Sequence, residues 1–164
     1  SAVSAAAIDA ALATAGAGNQ SALTVLQPFS ESVHAVTDIT GFGLLGHLAE
    51  MLTAEQGAEI AALSVPALPE ALDTLAAGYR SSLAPANNNM LTGRVRFDSA
   101  LPLARQALLT DPQTGGGLLL AVDASVAEAI VESAAAAGEF WCLIGRVQNA
   151  GFIGIKNLSS LPSV

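Results

Sequence analysis

The chain predicts an α+β domain, a mixed β-sheet covered by helices, and three observations carry that expectation. Short apolar or alternating runs recur along its 164 residues, at 33–37, 58–63, 94–98, 118–122, 140–147 and 151–156. Between them lie alanine- and leucine-rich stretches, such as 126–137, whose apolar residues return every three or four positions as a helix face requires. Hydrophobic residues make up 52% of the chain and charged residues only 12%, which is enough apolar material for one ordinary domain with a real core.

Taken in order, residues 1–18 form a helical lead-in. Val3, Ile8, Ala11 and Leu12 make its apolar stripe, and Gly16 and Gly18 stop it. Residues 19–156 form the domain proper, and 157–164 read as a tail. A second short helix is expected over 19–27, capped by Asn19 or Ser21 and ended by Pro28.

The densest chemistry follows, in His34-Ala35-Val36-Thr37-Asp38-Ile39-Thr40-Gly41-Phe42-Gly43. A strand running to Thr37 ends at Asp38. Thr40 is then a suitable N-cap for a helix whose apolar positions are Phe42, Leu45, Leu48, Ala49 and Leu52. Gly41, Gly43 and Gly46 sit at its start, although each glycine inside a helix costs about 0.8–1 kcal/mol relative to alanine. Two readings account for them. Free N–H groups at a helix start beside a carboxylate suit a metal-bound phosphate, and a helix packed tightly on a sheet needs small residues as well.

Beyond Gly57, a strand over 58–63, a turn framed by Pro66 and Pro69 and a helix over 69–77 serve structure. Residues 79–89, with Ser81, Ser82, Pro85 and three successive asparagines, read as a polar loop in which Arg80 could meet a phosphate. An edge strand follows at 93–98, with Val95 and Phe97 inward and Arg94 and Arg96 solvated. A short helix spans 101–109.

Asp111-Pro112-Gln113-Thr114-Gly115-Gly116-Gly117 is a second organising point, because Pro112 forces Asp111 out of helical geometry and three glycines open conformations closed to other residues. Such a turn can present N–H groups to an anion or simply admit the next strand to a sheet. Residues 118–122, apolar on both faces, read as a central strand. Asp123 or Ser125 caps the helix over 126–137, and strands over 140–147 and 151–156 form a hairpin turning at Asn149-Ala150-Gly151.

Charge narrows the partners. Six basic against 14 acidic residues give a formal −8, which disfavours nucleic acid and anionic membranes. The single cysteine, Cys142, lies in an apolar run and reads as a buried, inert thiol in a reducing cytoplasm. No stretch is long enough for a membrane helix and no basic segment precedes the alanine-rich start, while a first residue other than methionine fits a fragment or processed chain. His34 and His47 lack companions at zinc-ligand spacing, and no Walker-type loop, GxSxG or Ser-His-Asp grouping is apparent.

TDITGFGLLGH resembles the signature TDVTGFGLLGH of the selenophosphate synthetases (selenide, water dikinases), differing at Ile39. DPQTGGGLL at 111–119 resembles that family's DPQTSGGLL, with Gly115 where the family has serine, and SSLAPAN at 81–87 is similar to a loop some members write SSLxPxN. The match runs from about Asn19 to Gly154 and covers the C-terminal half of such an enzyme. The resemblance implies the C-terminal domain fold of the aminoimidazole-ribonucleotide-synthetase-like superfamily, and a reaction of ATP, selenide and water giving selenophosphate, AMP and phosphate. It also implies that a separate N-terminal domain carries the catalytic Cys or selenocysteine, a lysine and most contacts to ATP and selenide, and makes the homodimer. Asp38 is then one Mg²⁺ ligand beside two N-terminal aspartates, with Thr40 and Gly41, as cofactor-binding residues, shaping the helix start that faces that ion. No catalytic residue carries over to this chain. A related ATP-using synthetase of the same superfamily, or a non-catalytic scaffold remnant, are the alternatives.

Overall fold

The computed structural model describes residues 3–162. The first two positions of the lead-in and the last two of the tail lie outside the described residues. Helix α1 (Ala5–Gly16) starts where Ser4 Oγ accepts the Ala7 N–H at 3.2 Å. Helix α2 (Gln20–Leu26) passes at Pro28 into a 3-10 turn (Gln27–Ser32), which delivers the chain to strand β1 (Val33–Asp38). Helix α3 (Gly43–Met51), strand β2 (Gly57–Ala61) and helix α4 (Ala71–Ala76) come next. Helix α5 (Ala84–Met90), strand β3 (Val95–Phe97), helix α6 (Leu103–Thr110), strand β4 (Leu118–Val122), helix α7 (Ala127–Ala136) and strands β5 (Gly145–Gln148) and β6 (Ile153–Lys156) complete the order.

The expected α+β class holds, with the strands divided between two sheets. A mixed four-stranded sheet runs β3-β6-β2-β5, in which β3, β6 and β2 are parallel and β5 is antiparallel to β2. Strands β1 and β4 form a separate antiparallel ribbon, pairing Val36 with Leu120 and Asp38 with Leu118. The core lies between the larger sheet and α3 and α6, where Leu45, Leu109, Ile153 and Ile155 are fully buried. Burying each such side chain stabilises the fold by about 1.5–3 kcal/mol.

Several expectations are corrected. Strands β5 and β6 do not form a hairpin, because β2 lies between them and pairs with both. Buried Ile153 and Ile155 make β6 an interior strand, and the 149–151 turn carries the chain across β2 instead of back beside β5. Residues 140–144 are irregular, so the strand begins only at Gly145. Strand β4 is half of a two-stranded ribbon, where only Leu119 turns fully into the core.

The 79–89 stretch contains helix α5, since Pro85 sits in the first turn, where a missing N–H costs no hydrogen bond. Arg94 is tied down, donating to the Ala49 carbonyl near the end of α3 at 3.1 Å, and Arg96 lies 3.9 Å over the Phe152 ring. Neither Asp123 nor Ser125 caps α7 with its side chain. Asp123 instead meets His34 Nε2 at 2.7 Å, and that bond, with one from Ser32, holds the Asp123 carboxyl below the usual carboxylate range.

Candidate functional site

The two glycine-bearing motifs, far apart in the chain, are hydrogen-bonded to each other. Ile39 N–H donates to the Gly117 carbonyl at 2.9 Å and Gly116 N–H returns a bond to the Ile39 carbonyl at 2.9 Å. Gln113 N–H donates to the Thr40 carbonyl at 3.0 Å. The loop after β1 and the loop before β4 thus continue the β1–β4 ladder beyond its last paired residues.

Close approach explains two of the glycines. Gly43 has φ +67°, and a Cβ there would stand 2.7 Å from the Thr110 backbone carbon. A Cβ on Gly116 would stand 2.8 Å from the Ile39 carbonyl oxygen. Both contacts are with backbone, which cannot swing aside, so a side chain at either position would prise the loops apart.

Asn87 adds a staple from α5. The residue is 4% exposed, and its Nδ2 donates both to the Gly41 carbonyl at 2.9 Å and to the Thr110 carbonyl at 3.0 Å. The linear pattern does not single it out for this role; the signal for it is its place as the asparagine that closes the SSLAPAN block.

Asp38 ends β1 on the ribbon's exposed face, with His34 and Val36. Its carboxylate enters no ion pair among the described residues. Thr40 is not the N-cap of α3. That position is Phe42, and Thr40 stands two residues earlier in a turn closed by Gly43 N–H to its carbonyl at 3.0 Å. Its hydroxyl meets His47 Nε2 at 3.1 Å. His47 is buried, its Nδ1 lies 3.2 Å from Glu50 Oε2 and its ring leans on Phe42 with centroids 5.5 Å apart. Thr40, His47 and Glu50 thus form a hydroxyl–imidazole–carboxylate set, in which His47 and Glu50 are an i, i+3 pair on α3 and Thr40 comes from the turn before it. Gly41 leaves open space where a Cβ would project.

Asp111 stands where α6 meets the second loop, and burial pushes its carboxyl above the usual range while Arg80 opposes the shift. Arg80 is occupied locally, donating to the carbonyls of Leu75 and Tyr79. Cys142 is half-buried, with its thiol pushed up by desolvation. Chemically, the site offers a free oxygen ligand at a strand end, a hydroxyl two residues on and a rigid turn beneath both.

This α+β fold, with a strand, a carboxylate and a helix start clasped by a glycine loop, is consistent with a domain of the AIR synthase class. The family model for the C-terminal domain of AIR synthase related proteins matches residues 18–156, and the chain belongs to that family. Within it, the chain is similar to proteins named selenide, water dikinase, as its two main motifs imply. That of Pelobacter propionicus is 43% identical over 131 residues, which are 79% of this chain and 37% of that protein. That of Carboxydothermus hydrogenoformans is 42% identical over 127 residues, 76% of this chain and 36% of the other. That of Agathobacter rectalis is 37% identical over 140 residues, 85% and 40% respectively. The chain thus spans about two fifths of the length of these relatives.

Proposed function

We propose that this chain is the C-terminal domain of a selenide, water dikinase, which makes selenophosphate from ATP, selenide and water and releases AMP and phosphate. Likeness over most of the chain to proteins of that name carries the reading. In it, Asp38 is one ligand of Mg²⁺. An exposed carboxylate free of ion pairs fits a cation that takes oxygen ligands and is typically held by one or two carboxylates together with phosphates. Among the described residues no three His, Cys, Asp or Glu gather into a metal-holding group. In this reading the other carboxylate ligands belong to an N-terminal domain of the complete protein, as the family resemblance implies. Bound there, Mg²⁺ would neutralise charge on the phosphoryl groups in transfer.

The chain's own contribution is positional. Thr40 and Gly41 shape the turn between the carboxylate and α3, and the Asp111 to Gly117 loop supports that turn from beneath. ATP and selenide bind chiefly through the N-terminal domain, which also forms the homodimer. The protein works in the cytoplasm with small molecules, not nucleic acid or membrane. The acidic balance disfavours nucleic acid and anionic membranes as partners, and no helix among the described residues is long and apolar enough to cross a membrane.

The test compares wild type with Asp38→Ala in the complete gene product, reading selenide-dependent AMP formation. Loss of a cation that supplies several kcal/mol of charge stabilisation predicts a fall of roughly 100-fold or more. Unchanged activity would remove Asp38 from the metal site, and a wild type that forms no AMP would favour a scaffold domain.

A further inference from the structure

We propose that α1 is a strap closed over the glycine loop at 115–117, and that Glu70 is the positioning residue that latches it there.

Glu70 occupies a place that its own turn would give to glycine. Residues 68–71 form a turn closed by the Ala71 N–H and the Leu68 carbonyl at 3.1 Å, with Pro69 second and Glu70 third, at φ +61° and ψ 0°. A turn with positive φ at its third residue takes glycine or asparagine there. Glu70 is the only non-glycine residue with positive φ among the described residues. Left-handed backbone disfavours any residue with a Cβ, so the glutamate needs a reason in its side chain. Its carboxylate grips the start of α1. Ser4 N–H donates to Glu70 Oε2 at 3.0 Å, and the Ser4 hydroxyl and N–H together hold the Glu70 carboxyl below the ordinary glutamate range. Ser4 is also the N-cap of α1, so one residue both starts the helix and ties it to the turn before α4.

The other end of α1 rests on the glycine loop. A Cβ on Gly115 would stand 3.2 Å from the Ala15 carbonyl oxygen and 3.4 Å from that of Thr14, closer than a side chain usually lies to backbone. Glycine, where the resembling family has serine, gives the last turn of α1 its seat. Between its ends the helix is barely packed. Ala7 alone of its residues is buried, while Ile8 and Leu12 are 49% and 67% exposed. These two side chains line a cavity of about 2240 Å³ together with Leu119 of β4 and Ile130 of α7. Helices of this length are marginal on their own, so the two end contacts fix where α1 lies. The loop beneath its last turn is the one whose Gly116 N–H and Gly117 carbonyl bond Ile39, next to Asp38. The strap therefore braces one side of that platform.

The experiment follows amide hydrogen exchange, peptide by peptide, in the complete gene product. Glu70→Gly suits the turn but removes the carboxylate. Exchange in residues 7–16 should rise about 3-fold or more, with no rise in α4. Glu70→Gln keeps an oxygen able to accept the Ser4 N–H and should stay within about 2-fold of wild type. Gly115→Ser puts a side chain into the seat and should speed exchange at 13–17. Gly117→Ser is its control, because Gly117 has φ +84° with no atom within 4 Å of a Cβ, and it should leave α1 as in wild type.

Wild-type exchange in α1 of Glu70→Gly, equal loosening by Glu70→Gly and Glu70→Gln, or faster exchange of α4 along with α1 would each overturn the latch. Equal loosening of α1 by Gly117→Ser and Gly115→Ser would overturn the seat. Amide exchange needs no bound metal, so the outcome is independent of the reading of Asp38.

Discussion

Asn87 shows how a single amide can hold two distant stretches of backbone. Its Nδ2 satisfies the Gly41 carbonyl from the first motif and the Thr110 carbonyl at the end of α6, and no other side chain supplies those two carbonyls with donors among the described residues. Removing one partner of a buried hydrogen bond costs about 1–3 kcal/mol for each group left unsatisfied. Asn87→Ala is therefore expected to destabilise the domain by about 2–4 kcal/mol in urea unfolding, and Asn87→Asp by no less, since a carboxylate set between two carbonyls has nothing to donate. A cost below about 1 kcal/mol in both would show that water replaces the amide freely. Chemistry at this scale is half legible from sequence. Asp38, Thr40 and the glycines stand out in a linear reading, but the expectation of Thr40 as helix cap fails because its hydroxyl is taken by His47, seven residues on. A polar residue's role depends on which buried group reaches it first, and Asn87 looked like one more member of a polar loop until its helix carried it inward.

At the scale of elements, the larger sheet is tied across three strands by one carboxylate. Glu59 on β2 meets Arg146 on β5 at 2.7 Å and Lys156 on β6 at 3.5 Å, and the hydrogen bond from Arg146 does most to hold its carboxyl below the ordinary glutamate range. A folded-state value below the unfolded one means that the ionised form favours the fold. This contribution is complete above the unfolded value of about 4.3 and is lost as pH falls through the lower folded value. Wild type should thus exceed Glu59→Gln in stability at neutral pH, and the gap should close as the solution is acidified below about pH 4. A gap unchanged over that range would show the cross-strand charges to be idle. The same strands explain where element order escaped the linear reading. Runs at 140–147 and 151–156 were visible as apolar segments, but a hairpin and a pair of strands bracketing β2 have the same local pattern. Only the buried, parallel pairing of Ile153 and Ile155 beside β2 decides between them.

For the molecule as a whole, the α+β class was legible because periodicity and composition survive any arrangement of strands, and the two motifs stood out because both carry glycines, of which Gly43 and Gly116 meet the backbone of another segment. Their contact with each other was not legible, since the backbone bonds from Ile39, Gly116 and Gln113 link positions more than seventy residues apart. The result is a rigid platform that presents one free carboxylate and a fixed hydroxyl. The surrounding charge is formally −8, and ATP is a polyanion that such a surface repels unless a cation bridges the two. A lone carboxylate holds Mg²⁺ weakly, because the cation's preference for six oxygen ligands is then met almost entirely by water. In the proposed reading, the chain alone should therefore fold and unfold cooperatively yet form no AMP from ATP and selenide at any Mg²⁺ concentration. Titration calorimetry with Mg-ATP should show no binding tighter than about 1 mM, a threshold of roughly 4 kcal/mol. Sustained AMP formation by the pure domain would place the catalytic machinery within these 164 residues and overturn the division of labour between two domains.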